Sequence, residues 1–443
     1  MRGTGSESVR YFVLLPDPDA DEPPARKKQV LNVGLYERHV FRHAFRRCSL
    51  FMSYLCAKII RLHTFIVKTM AGLEPVLSAE LSAIGAQGVR ELKRAVAFEG
   101  DTRMMYRANY ELRTALRILK KLTSFPAYNE SNLYGGIRDI DWSQFLGPGD
   151  TLAIDAVTSG TVFTHSHYVA QLVKDAIVDQ FRDKYNRRPT VNTVAPSLRV
   201  NIHIQGTTVI VSLDSSGDSL HRRNYRKDTV EAPLNEVLAA GMILHSGWDA
   251  SSAFADPMCG SGTIPVEATM LAKKMPPQYF REKFGFFRWP DFDATLWNQI
   301  KSDADTQICD IDFPILASDM ELRARNSTVV NLMAANLERV VTVDRIPFEK
   351  LVPPAASGIL MMNPPYDERL RVEDTVSFYK GIADRLKQHW AGWNAWVISS
   401  NRDALKHFGL RPSRRITLFN GALECSFQRF DLYEGSKNIT ETD

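Results

Sequence analysis

Unbroken apolar runs that close on a polar residue mark the C-terminal half of the chain: Ala253-Phe254-Ala255-Asp256, Phe313-Pro314-Ile315-Leu316-Ala317-Ser318-Asp319, and Gly358-Ile359-Leu360-Met361-Met362 before Asn363. Runs of this length without alternation predict strands buried on both faces of a parallel sheet. Helical stretches follow the first two, over residues 264–273 and up to Leu337, which is the order of an α/β domain. The preceding half mixes its periods. Residues 65–69 predict a strand and 73–84 an amphipathic helix ending at Gly85. Residues 106–123 predict a second helix, with Arg107, Arg113, Arg117, Lys120 and Lys121 arrayed along a solvated face. Ile140-Asp141-Trp142 and Thr151-Leu152-Ala153-Ile154-Asp155 mark the next strand boundary, and 167–185 is a helix closed by the loop Asn186-Arg187-Arg188-Pro189. Alternation then predicts strands over 198–204 and 207–213. The mixed order implies an α+β domain ahead of the α/β one.

Two loops at the ends of the apolar runs carry chemistry. Asp256-Pro257-Met258-Cys259-Gly260-Ser261-Gly262-Thr263 is a tight turn opening a helix, where glycines admit a ligand to the backbone and free N–H groups favour an anion. No phosphate-binding Gly-Lys-Ser/Thr ends it, the third glycine of a dinucleotide fingerprint is missing, and Asp256 would repel a pyrophosphate. A zwitterion, such as the methionine part of S-adenosylmethionine, suits an acid beside helix amides better. Asp319 closes the next strand, the position of an acid that takes ribose hydroxyls. In Asn363-Pro364-Pro365-Tyr366 the prolines fix φ and push Asn363 out of the helical region. The Asn363 side-chain oxygen and the Pro364 carbonyl are thereby placed to accept both hydrogens of an exocyclic amine. Tyr366 offers a face on which an extruded base can stack.

These segments, in this order, resemble the THUMP-domain 23S ribosomal RNA guanine-N2 methyltransferases of bacteria. Leu220-His221-Arg222-Arg223-Asn224-Tyr225-Arg226 resembles the family's linker, residues 231–240 the helix over the methionine end, and Asn420-Gly421-Ala422-Leu423-Glu424-Cys425 its C-terminal hairpin. The resemblance spans residues 65–435. It implies an α/β Rossmann-like class I methyltransferase domain preceded by an α+β ferredoxin-like/THUMP RNA-binding domain. It also implies S-adenosylmethionine as cofactor, held by Asp256, Pro257, Cys259, Gly260, Gly262, Thr263 and Asp319. Asn363, Pro364, Pro365 and Tyr366 are then catalytic, and Arg187, Arg188, Arg222, Arg223 and Arg226 are expected to contact RNA. The amine turn alone leaves a transfer RNA guanine or adenine N6 open as targets, and a non-catalytic RNA-binding assembly factor is the reading from another class. The family usually has glycine at Asn224 and Asp367, turn positions that Asn and Asp tolerate. It also has an acid for the adenine amine where this chain has Pro347; Asp344 is the nearest carboxylate.

Charge agrees with an RNA partner. The chain of 443 residues has a net charge of +4. Residues 1–64 carry 11 lysines and arginines against 6 acids, 65–230 carry 21 against 17, and 231–443 carry 23 against 28. The basic excess thus precedes the α/β part, where phosphate contacts are expected. Five cysteines without Cys-x-x-Cys or metal spacing imply free thiols, no metal, and a reducing cytoplasm. No apolar stretch is long enough to span a membrane. The expected divisions are 1–64, a disordered extension or the product of a start called too early; 65–220, the ferredoxin-like and THUMP part; 221–245, the basic linker and covering helix; 246–435, the methyltransferase; and 436–443, a tail. With one α/β part, one modification per enzyme is expected.

Overall fold

The computed structural model describes residues 62–231, 233–365 and 372–434; the expectations for residues 1–61, for Tyr366 and Asp367, and for the tail lie outside them. Two sheets organise the described chain. The first is built from β1 (His63–Lys68), β2 (Gln87–Leu92), β3 (Ala95–Gly100), β4 (Arg117–Pro126), β5 (Thr151–Ser159), β6 (Thr190–Val191), β7 (Leu198–Gln205) and β8 (Thr208–Asp214), in the order β2-β3-β1-β4-β8-β7-β5-β6. Alternation sets the register: Leu198, Val200, Ile202 and Ile204 of β7 are buried while their neighbours face outward. Packed with this sheet are α1 (Glu74–Ala83), α2 (Thr102–Glu111), α3 (Glu130–Arg138) and α4 (Ser166–Tyr185), the last burying Val169, Val173, Ile177 and Phe181 at helical spacing.

Two predicted elements differ. The helix expected over 106–123 stops at Glu111, because Leu112 turns to extended backbone with ψ of 124°. The chain then enters β4, whose Ile118 and Leu119 pair with β1. The basic residues therefore form no solvated stripe. Arg113 is buried, Arg117 pairs with Asp214, and Lys120 lies 5.7 Å from the Trp289 ring. Residues 140–142 are no strand edge either: Trp142 opens a short 3₁₀ turn and is fully buried, its indole N–H donating to the Ile137 carbonyl.

The second sheet contains β9 (Ala253–Asp256), β10 (Ile315–Ser318), β11 (Val341–Asp344), β12 (Gly358–Met362), β13 (Trp393–Ser399), β14 (Arg414–Asn420) and β15 (Leu423–Asp431), ordered β11-β10-β9-β12-β13-β15-β14. Its strands are parallel through β13, and β15 and β14 close it as an antiparallel hairpin. One face packs α5 (Glu236–Ser246), α6 (Thr263–Ala272) and α8 (Leu322–Ala334); the other packs α9 (Val372–His389) and α10 (Arg402–Lys406). Crossovers reverse direction at β9, which lies between β10 and β12. Such a switch point opens a crevice at the carboxyl ends of its strands.

The segment between α6 and β10 is the unforeseen element. It holds α7 (Ala294–Asp305), and its Phe284, Phe286, Trp289, Trp297 and Ile300 enter the core of the first sheet rather than the second. Tyr106 stacks on Phe286 at 4.5 Å between ring centroids, Trp297 meets Tyr106 and Tyr110 edge-on, and the Tyr110 hydroxyl donates to Asp305 at 2.6 Å. An excursion of the second domain thus completes the first. Trp297→Ala is expected to cost about 3–5 kcal/mol and to lower the denaturation midpoints of both domains together. Urea melts followed by far- and near-ultraviolet circular dichroism would refute shared packing if one domain's transition stayed put.

Candidate active site

The carboxyl ends of β9, β10 and β12 bring Asp256, Ser318, Asp319 and Asn363 to one edge of the second sheet. Asp256 ends β9 and is buried. Its Oδ1 accepts from the Met258 amide at 3.2 Å, while Oδ2 is buried with no partner among the described residues. Burial pushes this carboxyl well above the usual carboxylate range, and the Asp319 charge adds to the effect. A hydrogen-bond donor or cation of a ligand beside Oδ2 would offset that desolvation and favour the charged form.

The loop from Pro257 to Gly262 is wound tightly, with the Gly262 amide donating to the Cys259 carbonyl at 2.8 Å. Gly260 and Gly262 have φ of 56° and 81°, backbone that side chains rarely adopt. A Cβ on Gly262 would also meet Thr328 Cγ2 at 2.8 Å. Thr328, on α8, closes the loop from behind by donating to the Gly260 carbonyl at 2.9 Å and lying 3.4 Å from the Cys259 thiol. Burial, helped by the Asp256 charge, raises that thiol well above its ordinary pKa, so Cys259 packs rather than attacks. Asp319 accepts from the Gly260 amide at 3.0 Å through Oδ2 and from the Glu321 amide at 3.0 Å through Oδ1, so it joins the glycine loop to the end of β10. Thr263 begins α6 and its hydroxyl accepts from Arg226.

Asn363 directly follows β12. Its side-chain oxygen is buried and has no partner among the described residues, an unmet acceptor whose desolvation costs about 1–3 kcal/mol unless a ligand supplies a donor. Pro364 behind it is buried and Pro365 exposed. Two acceptors without donors, one at each of two adjacent strand ends, fit a ligand with polar hydrogens on one side and an amine on the other.

The expected RNA contacts separate into two groups. Arg187 and Arg188 are exposed just beyond α4, and Arg222 is exposed with a loose 3.8 Å pairing to Asp218. Arg223 is wholly buried: it pairs with Glu267 at 3.3 Å and donates to the carbonyls of Leu220 and Arg113. It therefore has no surface to offer a phosphate. Arg226 is drawn inward to Glu236 at 2.8 Å and to the cofactor-type loop. Asn224 has φ of 72°, the left-handed turn anticipated for a position usually held by glycine. Pro347 leads a 3₁₀ turn, Phe348–Lys350, and Asp344 ends β11 opposite Ser318. The Asp344 carbonyl accepts from the Asp319 amide at 3.3 Å. Asn331 and Thr328, which brace the loop, escaped sequence reasoning, since polar residues within a helix usually face water. An open cleft of about 490 Å³ beside Tyr279, Phe287 and Trp297 has no part in these strand ends.

A parallel sheet with a reversed hairpin at its edge, a glycine-rich turn after its switch-point strand and an acid after the next define a class I methyltransferase. Three domain models match in series: an RlmL ferredoxin-like domain over residues 64–119, a THUMP domain over 127–214, and an RMKL-like methyltransferase domain over 223–429. The ribosomal RNA large subunit methyltransferase K/L of Methylococcus capsulatus is 38% identical over 377 residues, 83% of this chain and 51% of that protein. A Synechocystis protein that carries an RNA methyltransferase name, slr0064, is 38% identical over 82% of this chain and 95% of its own length. The solved structure of SMU.472, complexed with SAH, superposes with a TM-score of 0.77 at 26% identity, over 85% of this chain and all of that one. The chain belongs to the THUMP-bearing RMKL-like methyltransferase family, and its cofactor is S-adenosylmethionine. It spans about half the length of the K/L relative. Among the described residues no helix is long and apolar enough to cross a membrane, and no cluster of ligating side chains is placed to hold a metal.

Asp256→Asn gives a test of the buried acid. Its folded-state pKa is raised above the unfolded value of about 3.9, so the folded state holds this proton more tightly. Its contribution to stability is present below that value and is lost as pH rises through the folded pKa. The variant is expected to melt higher than wild type at neutral pH, with the difference vanishing near pH 4, while binding S-adenosylhomocysteine at least tenfold more weakly. Thermal melts across pH and calorimetry check both; a variant less stable at neutral pH would contradict the unpartnered state.

Proposed function

We propose that this domain methylates the exocyclic N2 of a guanine in large-subunit ribosomal RNA. The observation that carries the reading is the Asn363 side-chain oxygen, buried and without a partner among the described residues, beside a rigid Pro-Pro step at the end of β12. An amine whose hydrogens are accepted by this oxygen and by the Pro364 carbonyl has its lone pair directed out of the base plane. When bound, the cofactor supplies an electrophilic methyl group on a sulfonium. Asp256 and Asp319 hold its polar edges, the Gly260–Gly262 backbone lets it approach closely, and Asn363 orients the attacking nitrogen. Tyr366 is assigned the stacking face for the extruded base. Acceleration arises mainly from positioning, and no covalent enzyme intermediate is needed. The names of the Methylococcus and Synechocystis relatives favour RNA, and the K/L name favours the large ribosomal subunit. Adenine N6 and a transfer RNA guanine are the competing targets, because the Asn-Pro-Pro-Tyr turn accepts any planar amine.

The substrate approaches from the first domain. Arg187, Arg188 and Arg222 are the exposed cations assigned to phosphate contact, replacing the larger set that included the inward-facing Arg223 and Arg226. RNA helices are read by shape and phosphate rather than by base edges, so the basic surface sets affinity and the amine turn sets chemistry.

Two outcomes are expected. With labelled cofactor and ribosomal RNA from a strain lacking the gene, wild type transfers methyl to a guanine, identified as N2-methylguanine by nuclease digestion and mass spectrometry. Asn363→Ala loses at least about a hundredfold in kcat with RNA affinity intact. N6-methyladenine in the digest would replace the guanine reading, and tight RNA binding without any transfer would end the enzymatic one. Arg187→Ala/Arg188→Ala is expected to weaken RNA binding and to flatten its logarithmic salt dependence by about one to two units. An unchanged slope in filter-binding titrations would remove that loop from the RNA surface.

A further inference from the structure

We propose that Arg226 is a positioning residue that prepares the cofactor loop for the carboxylate end of the cofactor, acting through the hydroxyls of Ser261 and Thr263. The inference rests on the reading of residues 256–263 as the cofactor loop.

Arg226 belongs to the segment between the two domains, yet its guanidinium is spent inside the second. Nε donates to Glu236 Oε1 at 2.8 Å, Nη1 to Ser261 Oγ at 2.9 Å, and Nη2 to Thr263 Oγ1 at 2.9 Å and to the Leu234 carbonyl at 3.1 Å. One planar fork therefore fixes the linker, the first turn of α5 and the mouth of α6 relative to one another. A lysine, with a single nitrogen, cannot span those acceptors. Asn331 grips the same loop from the opposite side. It is fully buried, its Nδ2 donates to the Ser261 carbonyl and the Asp228 carbonyl at 2.8 Å each, and its Oδ1 accepts from the Lys227 and Asp228 amides. Ser261 is thus held by its hydroxyl and by its carbonyl, each time by a residue that also holds the linker.

The polarity of these bonds matters as much as their number. A guanidinium has no acceptor, so both hydroxyls must accept from it. Their own hydrogens are then directed away from Arg226, and among the described residues neither is donated to a protein acceptor. The donors stand beside the opening amides of α6, where the helix dipole favours negative charge. A carboxylate there meets two hydroxyl donors, helix amides and a nearby fixed cation. The amino-acid portion of S-adenosylmethionine carries such a group, whereas its nucleoside portion does not.

The test separates these two portions. Calorimetry without RNA would measure S-adenosylhomocysteine and 5′-methylthioadenosine, a thioether nucleoside lacking the amino-acid part, against wild type, Arg226→Ala, Arg226→Lys and Ser261→Ala/Thr263→Val. Arg226→Ala and Arg226→Lys are expected to weaken S-adenosylhomocysteine at least tenfold and to change 5′-methylthioadenosine by less than twofold. Steady-state kinetics would show the loss in KM for S-adenosylmethionine, with RNA affinity unchanged at matched salt. Adding Arg226→Ala to the hydroxyl-deficient double variant, whose linker is intact, should cause little further loss, as residues acting through one network are non-additive. Equal weakening of both ligands would mean general damage to the loop and would overturn the proposal. So would unchanged S-adenosylhomocysteine binding with weakened RNA binding, which would return Arg226 to the phosphate surface. Failure of wild type to bind S-adenosylhomocysteine at all would overturn the cofactor-loop reading itself, a result distinct from either.

Discussion

A buried carboxylate, Glu267 on α6, is the point on which the two domains close. Arg223 of the linker pairs with it, and Tyr225 donates its hydroxyl to the same oxygen at 3.0 Å. Arg223 also reaches the carbonyls of Leu220 and Arg113, while Arg113, from the turn after α2, donates to the Met275 carbonyl at 2.7 Å. The first domain, the linker and the helix behind the cofactor loop are thereby joined in one buried network. Burial raises the Glu267 carboxyl and lowers the Arg113 guanidinium from their ordinary values, and each opposes the other's shift. Removing one partner from such a pair leaves a charge uncompensated, at a cost of about 3–5 kcal/mol. Specific orientation, more than net stability, is what the arrangement provides.

Aromatic packing extends this constraint over a larger area. Phe284, Phe286, Trp289 and Trp297 leave the second domain and enter the core of the first. Arg281 reinforces them by donating to the carbonyls of Ser216, Asp218 and Ser219, at the end of β8. A hinge between the domains would have to expose these rings and strip the carbonyls of their donor. The loop of Arg187 and Arg188 and the turn after β12 are therefore held at a set separation, which suits the proposed reading of RNA by shape with transfer at one distance from the grip.

Elements governed by local pattern were legible in the sequence. The runs closing on Asp256, on Asp319 and before Asn363 supply parallel strands of one sheet, and the turn between Cys259 and Thr263 needs its glycines for reasons of backbone geometry alone. Where a residue's partner lies far along the chain, the pattern misled. Arg113 and Arg117 have the spacing of a solvated helical face, but Leu112 breaks the helix and their partners come from Met275 and Asp214. Arg223 and Arg226 look like their exposed neighbour Arg222 until Glu267 and Glu236 are placed beside them. The aromatic segment after α6 gave no local sign of which core it would join, because hydrophobicity specifies burial and not address.

Strand β4 has a consequence for where this protein can be divided. It pairs with β1 along one edge and with β8 along the other, so the ferredoxin-like and THUMP portions share one continuous sheet. One domain model ends inside it, at residue 119, and the other starts just past it, at 127, β4 itself running from Arg117 to Pro126. A boundary drawn by homology thus falls on a mechanical spar. Recombination or truncation there would leave two unpaired edges open to intermolecular association, so the pair is one structural unit even though each half carries a family name of its own.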